Sequence, residues 1–516
     1  MEQKWQEQMD RLGRRRSTIA AAGGEDRIAK QHSAGKLTAR ERMDALFDDG
    51  TFVETDQMIL SRAMDFGMDK KKKPGDGVVT GYGYIHGRLA FAASQDFTVS
   101  GGSLGEAQAE KICRAMEKAL DMKVPFISIN DSGGARIEEG IDSLAGYAKI
   151  FRMNTLCSGV IPQISVILGP CAGGACYSPA ITDYIFMTQK NAQMYITGPA
   201  VVKSVTGEVI SSADLGGASV HSRTSGVAHF VYEDDLACLN GVRRLLGYLP
   251  QNNEEKPMMV PGREKDECVK LSDIVPVDSR RPYDVRRVID AFADEGSFFE
   301  VQAGFARNLV VGFARLAGET IGIVANQSSY MAGSLEIDAS DKGARFIRFC
   351  DCFNIPILTL VDVPAFLPGS QQEHGGIIRH GAKMLFAYCE ATVPKVGLIM
   401  RKAYGGAYIA MNSKGTGADV VYAWPIAQIA VMGAAGAVSI IGRRQIEQAE
   451  DPSAKKEELL DEYNHKFMNP YIAAEHGYVD EVITPEETRS RIVGAFRMLK
   501  TKKRELPAKK HGNIPL

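Results

Sequence analysis

Apolar residues fall along this chain in two alternating rhythms. Short continuous runs rich in Val, Ile and Leu, "VPFISIND" (124–131), "IPQISVIL" (161–168), "IPILTLVD" (355–362) and "VPKVGLIM" (393–400), have the length and bounding prolines of buried strands. Between them, in "GEAQAEKICRAMEKAL" (105–120) and "DASDKGARFIRFC" (338–350), apolar positions recur every three to four residues and predict amphipathic helices. Strand, helix and strand in succession predict an α/β fold in which crossover helices join the strands.

The pattern is written twice. Gly102-Ser103-Leu104 returns as Gly333-Ser334-Leu335, Lys111 as Lys342, Pro125 as Pro356 and Asp131 as Asp362, all at an offset of 231. One inserted residue later, Pro162 returns as Pro394 and Gly173-Gly174-Ala175 as Gly405-Gly406-Ala407. An internal duplication is the reading, with two domains of one architecture. Residues 1–30 form a helical lead-in, 31–260 the first domain, 261–283 a linker within a polar, proline-bearing stretch, and 284–516 the second domain.

Composition agrees with two sizeable cores, since 45% of the 516 residues are hydrophobic. A formal charge of −2 argues against a nucleic-acid partner. The basic runs Arg14–Arg16 and Lys70–Lys73 read as solvated surface, a loop near a phosphorylated ligand being the minority reading for the second. The nine cysteines form no C-x-x-C pair and several, such as Cys113 and Cys389, lie in apolar helical patterns, so reduced core residues and no metal are expected. The charged N-terminus lacks the apolar core of a signal peptide and no run is long enough to span a membrane, so a cytoplasmic protein is expected.

The triplet Gly173-Gly174-Ala175 follows a strand. Glycine there permits positive φ and close approach, so unpaired amides can converge on one oxygen. An isolated triplet is more often close packing; its return at the same place in the second copy favours an oxyanion hole. The loops facing the two triplets differ. "NDSGGARIEEG" (130–140) offers small residues that expose amides and an arginine for an anionic ligand, whereas "VDVPAFLPGSQQEHGGIIRHGAK" (361–383) is stiffer and more apolar. Two holes for two ligands follow. Amides over a thioester carbonyl acidify the α-carbon, because they stabilise the enolate more than the neutral ester.

At these residues the chain resembles the carboxyltransferase subunits of biotin-dependent acyl-CoA carboxylases and decarboxylases. The matching stretches include "KLTARERMDALFDDGTFVE", "SQDFTVSGGSLGEAQAEKI", "NDSGGARIEEG", "SGVIPQISVILGPCAGGACYSPAITD", "RKAYGGAY" and "KKHGNIPL", and they span almost the whole chain. The resemblance implies two tandem crotonase-like β-β-α spiral domains and a homohexamer whose sites lie where the first domain of one subunit faces the second of another. It implies that Gly173 and Gly174 bind the thioester oxygen, that Gly406 and Ala407 bind the biotin carbonyl, and that Gly133, Gly134, Ala135 and Arg136 line the CoA side. Phe366, Gly369, Gly375, Gly376 and Gly405 would surround biotin, and Ile409 would shape the acyl pocket. Biotin would arrive on a biotin carboxyl carrier protein, a biotin carboxylase subunit or a membrane decarboxylase subunit. Propionyl-CoA carboxylase β subunits and methylmalonyl-CoA decarboxylase α subunits match most fully, which leaves the direction open. Ala365, Ser328, Ser329 and Ile409 depart from the family's usual residues.

Rival readings are weaker. "GGSLG" (101–105) satisfies the nucleophile-elbow pattern G-x-S-x-G, yet the second copy has glutamate where the closing glycine belongs. "GAKM" (381–384) lies in a helical pattern and lacks the methionine that precedes a biotinylated lysine, so biotin is expected on another protein. No ATP-binding loop is present to carboxylate biotin here. A stand-alone hydratase would need a carboxylate pair and no duplication, and a scaffold would show no turnover.

Overall fold

The computed structural model describes residues 2–262 and 270–516. The chain divides into two compact units, Met1–Glu255 and Lys256–Leu516. In the first, eight strands are β1 (Val53–Thr55), β2 (Val78–Ile85), β3 (Arg88–Gln95), β4 (Phe126–Ser132), β5 (Gln163–Ala172), β6 (Tyr184–Thr188), β7 (Gln193–Tyr195) and β8 (Phe230–Tyr232). Their order is β1-β2-β3-β4-β5-β6-β8, with β7 on the far end of β5. The second unit repeats this with β9 (Phe299–Val301), β10 (Leu309–Leu316), β11 (Glu319–Asn326), β12 (Ile357–Val363), β13 (Lys395–Tyr404), β14 (Val420–Ala423), β15 (Gln428–Ala430) and β16 (Glu481–Val482), β15 pairing with β13. In each sheet the first three strands are antiparallel and the rest parallel.

The sequence runs land on these elements because each must be covered on both faces. Ile127, Ile164, Ile357 and Val396 are fully or almost fully buried. The helices Glu106–Asp121 and Ile337–Cys352 carry the crossovers from β3 to β4 and from β11 to β12. Both β4–β5 and β12–β13 then lose register at one place, between Asn130 and Ser132 and between Val361 and Val363. The paired strands splay there, with a buried aspartate at each break.

Asp131 accepts from Lys36 (2.8 Å), Arg42 (2.9 Å) and Gln31 (3.2 Å), and Arg42 also donates to Asp235 (2.8 Å). The segment that follows the lead-in is therefore tied to the break. The helices Glu2–Ala20 and Glu25–Ser33 are followed by Ala39–Leu46, which starts on a Thr38/Glu41 capping box. Asp362 takes its cations from its own sheet, accepting from Arg401 (2.8 Å) and from the Lys402 backbone amide (3.1 Å).

Part of the stretch expected as a linker is packed. Leu271, Ile274, Val275 and Tyr283 are buried in the second core, since each supplies an apolar side chain beside β10 and β13. Residues 263–269 of that stretch, with Cys268, lie outside the described residues. Cys113 is buried, whereas Cys389, expected in the core, is exposed. On the helix Ile377–Glu390 the buried stripe runs through Met384, Ala387 and Tyr388, and Cys389 sits one residue off it. The same helix holds Lys383, which pairs with Asp341 at 2.8 Å. Among the described residues no helix is long and apolar enough to cross a membrane.

The duplicated lysines serve the backbone. Lys111 donates to the carbonyls of Gly75 (3.0 Å) and Val78 (2.5 Å), and Lys342 to those of Gln302 (3.0 Å) and Phe305 (2.8 Å). Burial pulls the Lys111 ammonium down to about 8. Its unfolded value is higher, so between pH 8 and about 10 the unfolded chain binds more protons and stability gained from this residue rises with pH. The expected result is a thermal-midpoint difference, wild type minus Lys111→Met, that grows from pH 7 to pH 9.5 by the equivalent of about 1 to 3 kcal/mol. A constant difference would refute it.

Candidate active site

Each triplet stands where a central parallel strand ends. β5 closes at Ala172 and Gly173 turns with φ 62°; β13 closes at Tyr404 and Gly405 turns with φ 57°. The β5–β7 ladder stops at Ala172↔Tyr195 and the β13–β15 ladder at Tyr404↔Ala430. The residues that follow open helical turns, Gly173–Cys176 and Gly405–Ala410, whose first amides have no acceptor within the turn. Gly174 with Ala175 and Gly406 with Ala407 are thus the equivalent pairs past the ladder. Gly173 is the counterpart of Gly405, and both supply the left-handed turn.

The two glycines past the turn are not alike. A Cβ on Gly174 would stand 3.0 Å from the Tyr147 ring, whereas one on Gly406 would have only Phe366, at 4.0 Å. Gly174 is half-buried over Tyr147; Gly406 is exposed. Burial drives the Tyr147 phenol well above its ordinary range, so it stays neutral beside the turn.

The facing loop of the first unit is more committed than its sequence suggests. The Gly133 amide donates to Gly101 O (3.0 Å) and the Gly134 amide to Ser132 Oγ (3.2 Å), while Gly134 O accepts from Leu104 N (2.9 Å). Of the three small residues expected to expose amides, two have theirs engaged, Gly133 by the 100–104 turn and Gly134 by a side chain of its own loop. Arg136 is corrected as well: it is 2% exposed and its guanidinium donates to Asp76 (2.8 Å), Glu139 (2.7 Å) and Ser103 O (2.9 Å). A buried guanidinium needs such partners, and here it braces the loop rather than waiting for an anion. Burial raises Asp76 from its ordinary value despite Arg136.

In the second unit Leu335 N donates to Ala365 O (3.1 Å) and Leu367 N to Leu335 O (2.7 Å), so Ala365 stands where Gly134 does and Phe366 where Ala135 does. Gly134 needs φ 102°. Ala365 has no positive φ, which is why alanine is accommodated there. Phe366 lies between Gly406 and Gly381, whose added Cβ would touch its ring at 3.0 Å. Gly369 starts the helix Ser370–Gly375, and Gly376 with φ 90° joins it to Ile377–Glu390. Gly375 packs on Ile337, and Ile409 is exposed on the turn after Ala407. Ser328 and Ser329 lie behind the site: their hydroxyls donate to Tyr283 O at 3.0 Å and 2.8 Å. Tyr283 stacks on Arg401 at 4.7 Å, so these serines hold the support of Asp362.

Ser103 is no nucleophile, since its hydroxyl donates to Ser100 O (2.8 Å) within its own turn. The basic run expected at the surface is exposed, and it also borders a cavity of about 500 Å³, where Lys70, Lys71, Lys73 and Arg27 meet Ser100, Ser103 and Arg136. The signal was the "PGDG" that follows the run, because Gly75, Asp76 and Gly77 all take positive φ and fold the loop back toward Val99.

Residues 30–514 match the family model described as carboxyl transferase domain. The chain belongs to the carboxyl transferase family. It is 57% identical over 513 residues to "Propionyl-CoA carboxylase, carboxyltransferase subunit" of Haloferax mediterranei, covering 99% of each chain. It is 56% identical over 508 residues to "Methylmalonyl-CoA decarboxylase subunit alpha" of Propionigenium modestum, covering 98% of each. Among solved structures it is similar to transcarboxylase 12S, a hexamer with methylmalonyl-coenzyme A bound, at 55% identity, with a TM-score of 0.96 and 98% of each chain covered. The two sheets of this carboxyltransferase are two tandem crotonase-like domains.

Proposed function

We propose that this enzyme moves a carboxyl group between biotin on a separate carrier protein and the α-carbon of a short acyl-CoA, with propionyl-CoA and methylmalonyl-CoA as the pair. The observation that carries this is the equivalence of Gly174-Ala175 and Gly406-Ala407, two amide pairs past two strand ends with different walls. The relatives' names supply the substrate class.

The residues fit both ligands. The cavity of about 500 Å³ offers Arg27, Lys70, Lys71 and Lys73 to the phosphates of a CoA ester. The Gly406 site is open, bare of side chain and walled by Phe366, which suits a flat ureido ring whose carbonyl accepts amides. When bound, biotin supplies the carboxyl group to be moved and a ring nitrogen as base. The chain's own part is electrostatic. Gly174 and Ala175 hold the thioester oxygen as negative charge builds on it, each donor contributing about 3 kcal/mol to the transition state. Gly406 and Ala407 do the same for the ureido oxygen. The buried, neutral Tyr147 ring keeps water from beneath Gly174.

The same amides serve the transfer in reverse, as the α subunit of a sodium-pumping methylmalonyl-CoA decarboxylase, a reading favoured by the 56% identity to that relative. A homohexamer is proposed from the similarity to the hexameric 12S protein. The partner is a biotin carboxyl carrier protein, a biotin carboxylase subunit or a membrane decarboxylase subunit, and the enzyme acts in the cytoplasm.

The test is α-proton exchange and carboxyl transfer on propionyl- and methylmalonyl-CoA with and without a biotin carrier. Turnover only with biotin is expected. Turnover without it, release of free CoA, or no activity with either ester would overturn the reading in favour of a hydratase, a hydrolase or a scaffold. A second expectation concerns the basic loop. Replacing Lys70, Lys71 and Lys73 together by alanine raises KM for the CoA ester by about tenfold or more and flattens its dependence on ionic strength, with kcat unchanged. A kcat loss at constant KM would remove the loop from CoA binding.

A further inference from the structure

A cleft in the second unit lies at the entry ends of its parallel strands, beside Pro356 and Pro394, away from the Gly405 turn at the exit end of β13. Its cationic part, about 440 Å³, is rimmed by Lys256, Lys500, Lys502, Lys503 and Arg504 against Glu319 and Glu505. An adjoining part of about 300 Å³, where Leu316, Ile321 and Val493 form an apolar slot beside Glu319, Arg497 and Lys500, shares Met259 and Phe496 with it.

The positive charge is not balanced internally. Lys500 pairs with Glu319 (2.8 Å) and Lys502 with Asp419 (2.7 Å), but among the described residues Lys503 and Arg504 have no ion pair. The excess is felt nearby: burial, then the charges of Lys502 and Arg504, hold the Lys395 ammonium down at about 8. Thr320, 3% exposed, lines the cleft, and its hydroxyl has no hydrogen-bond partner. A buried hydroxyl left unpaired costs free energy that a ligand recovers.

The duplication gives a control. In the first unit the same place is filled by the chain itself. Gln251 donates to Leu89 O (2.9 Å), Asn252 to Lys123 O (3.0 Å) and Asn253 N to Val160 O (3.0 Å), while Glu254 pairs with Lys123. Leu89 and Lys123 are the counterparts of Thr320 and Asn354, which line the open cleft of the second unit. The second copy thus replaces an acidic, amide-bearing plug by a basic rim over an apolar slot.

We infer that this cleft binds a nucleotide, with its base against Met259 and Phe496, its phosphates at Lys503 and Arg504, and the Thr320 hydroxyl bonded to it. The size is that of a small-molecule site, and the pairing of an apolar slot with unpaired cations suits a phosphorylated, apolar-bodied ligand. Two sources carry that chemistry: a free adenine nucleotide and the 3′-phospho-ADP end of coenzyme A.

The test is isothermal titration calorimetry on the assembled enzyme with ADP and, separately, free coenzyme A, in wild type, the double variant Lys503→Glu/Arg504→Glu and the Lys70/Lys71/Lys73 alanine triple variant. At least one ligand is expected to bind the wild type and the triple variant, to bind the double variant about tenfold or more weakly, and to leave nucleotide-free carboxyl transfer by the double variant unchanged. Which ligand does so identifies the source. Binding of neither, equal binding by the double variant, or loss only in the triple variant overturns the inference.

Discussion

Gly405→Ala lowers kcat for carboxyl transfer by about 10²- to 10³-fold and leaves KM for the acyl-CoA close to wild type. Gly405 holds φ 57°, where an L-residue pays about 1–2 kcal/mol, and its added Cβ would meet the backbone oxygen of Val431 at 3.0 Å. A backbone oxygen just past the end of β15 cannot swing aside as a side chain can. The least costly relief is rotation of residue 405 out of the left-handed region, which turns the Gly406 and Ala407 amides away from their common point. Those amides act on developing charge, so the loss belongs in kcat. In the assignment proposed above the CoA ester is held by the other copy, whose Gly173 turn is untouched. Steady-state kinetics with free biotin as acceptor, beside a circular dichroism spectrum that matches wild type, decides the matter. A kcat within threefold of wild type would show that the turn does not set the amides' direction.

Much of the fold was legible because the duplication doubled the signal. The buried runs at 124–131, 161–168, 355–362 and 393–400 became β4, β5, β12 and β13, and both triplets lie just past strand ends. What the sequence left hidden depends on long-range partners. Nothing local in "SGGAR" reveals that Gly133 answers to Gly101, nor that Arg136 is consumed by Asp76, sixty residues upstream. Charge alone told only half: Lys70, Lys71 and Lys73 are exposed as a solvated run should be, and the 75–77 turn also sets them beside a cavity. In the other direction, Leu271 to Val275 lie in a polar stretch too short of apolar period to betray that its few apolar residues complete a core. The residues in β4, β5, β12 and β13 were readable because sheet burial imposes a pattern, whereas bracing contacts impose none.

The largest loss of stability is expected at Asp362. It is fully buried and accepts from Arg401 Nε (3.1 Å) and Nη2 (2.8 Å) and from the Lys402 amide (3.1 Å). Asp362→Ala leaves the Arg401 guanidinium, 0% exposed, with only the carbonyls of Pro276, Asp278 and Arg281 at Nη1. An uncompensated buried charge costs about 3–5 kcal/mol. Asp131→Ala is expected to cost less, although Asp131 is as deeply buried, because Arg42 keeps its bond to Asp235 (2.8 Å) and only Lys36 loses its carboxylate. The two variants therefore separate in urea midpoint at a common slope. Removing both partners, as in Asp362→Leu with Arg401→Met, recovers most of the loss, because an apolar pair of similar volume needs no charge compensation. Recovery of stability need not restore turnover, since Asp362 also fixes the splay between β12 and β13 that carries the chain to Gly405. A single variant within about 1 kcal/mol of wild type, or a double variant no better than the single, would mean that the Asp362–Arg401 pair does not hold the strand ends in place.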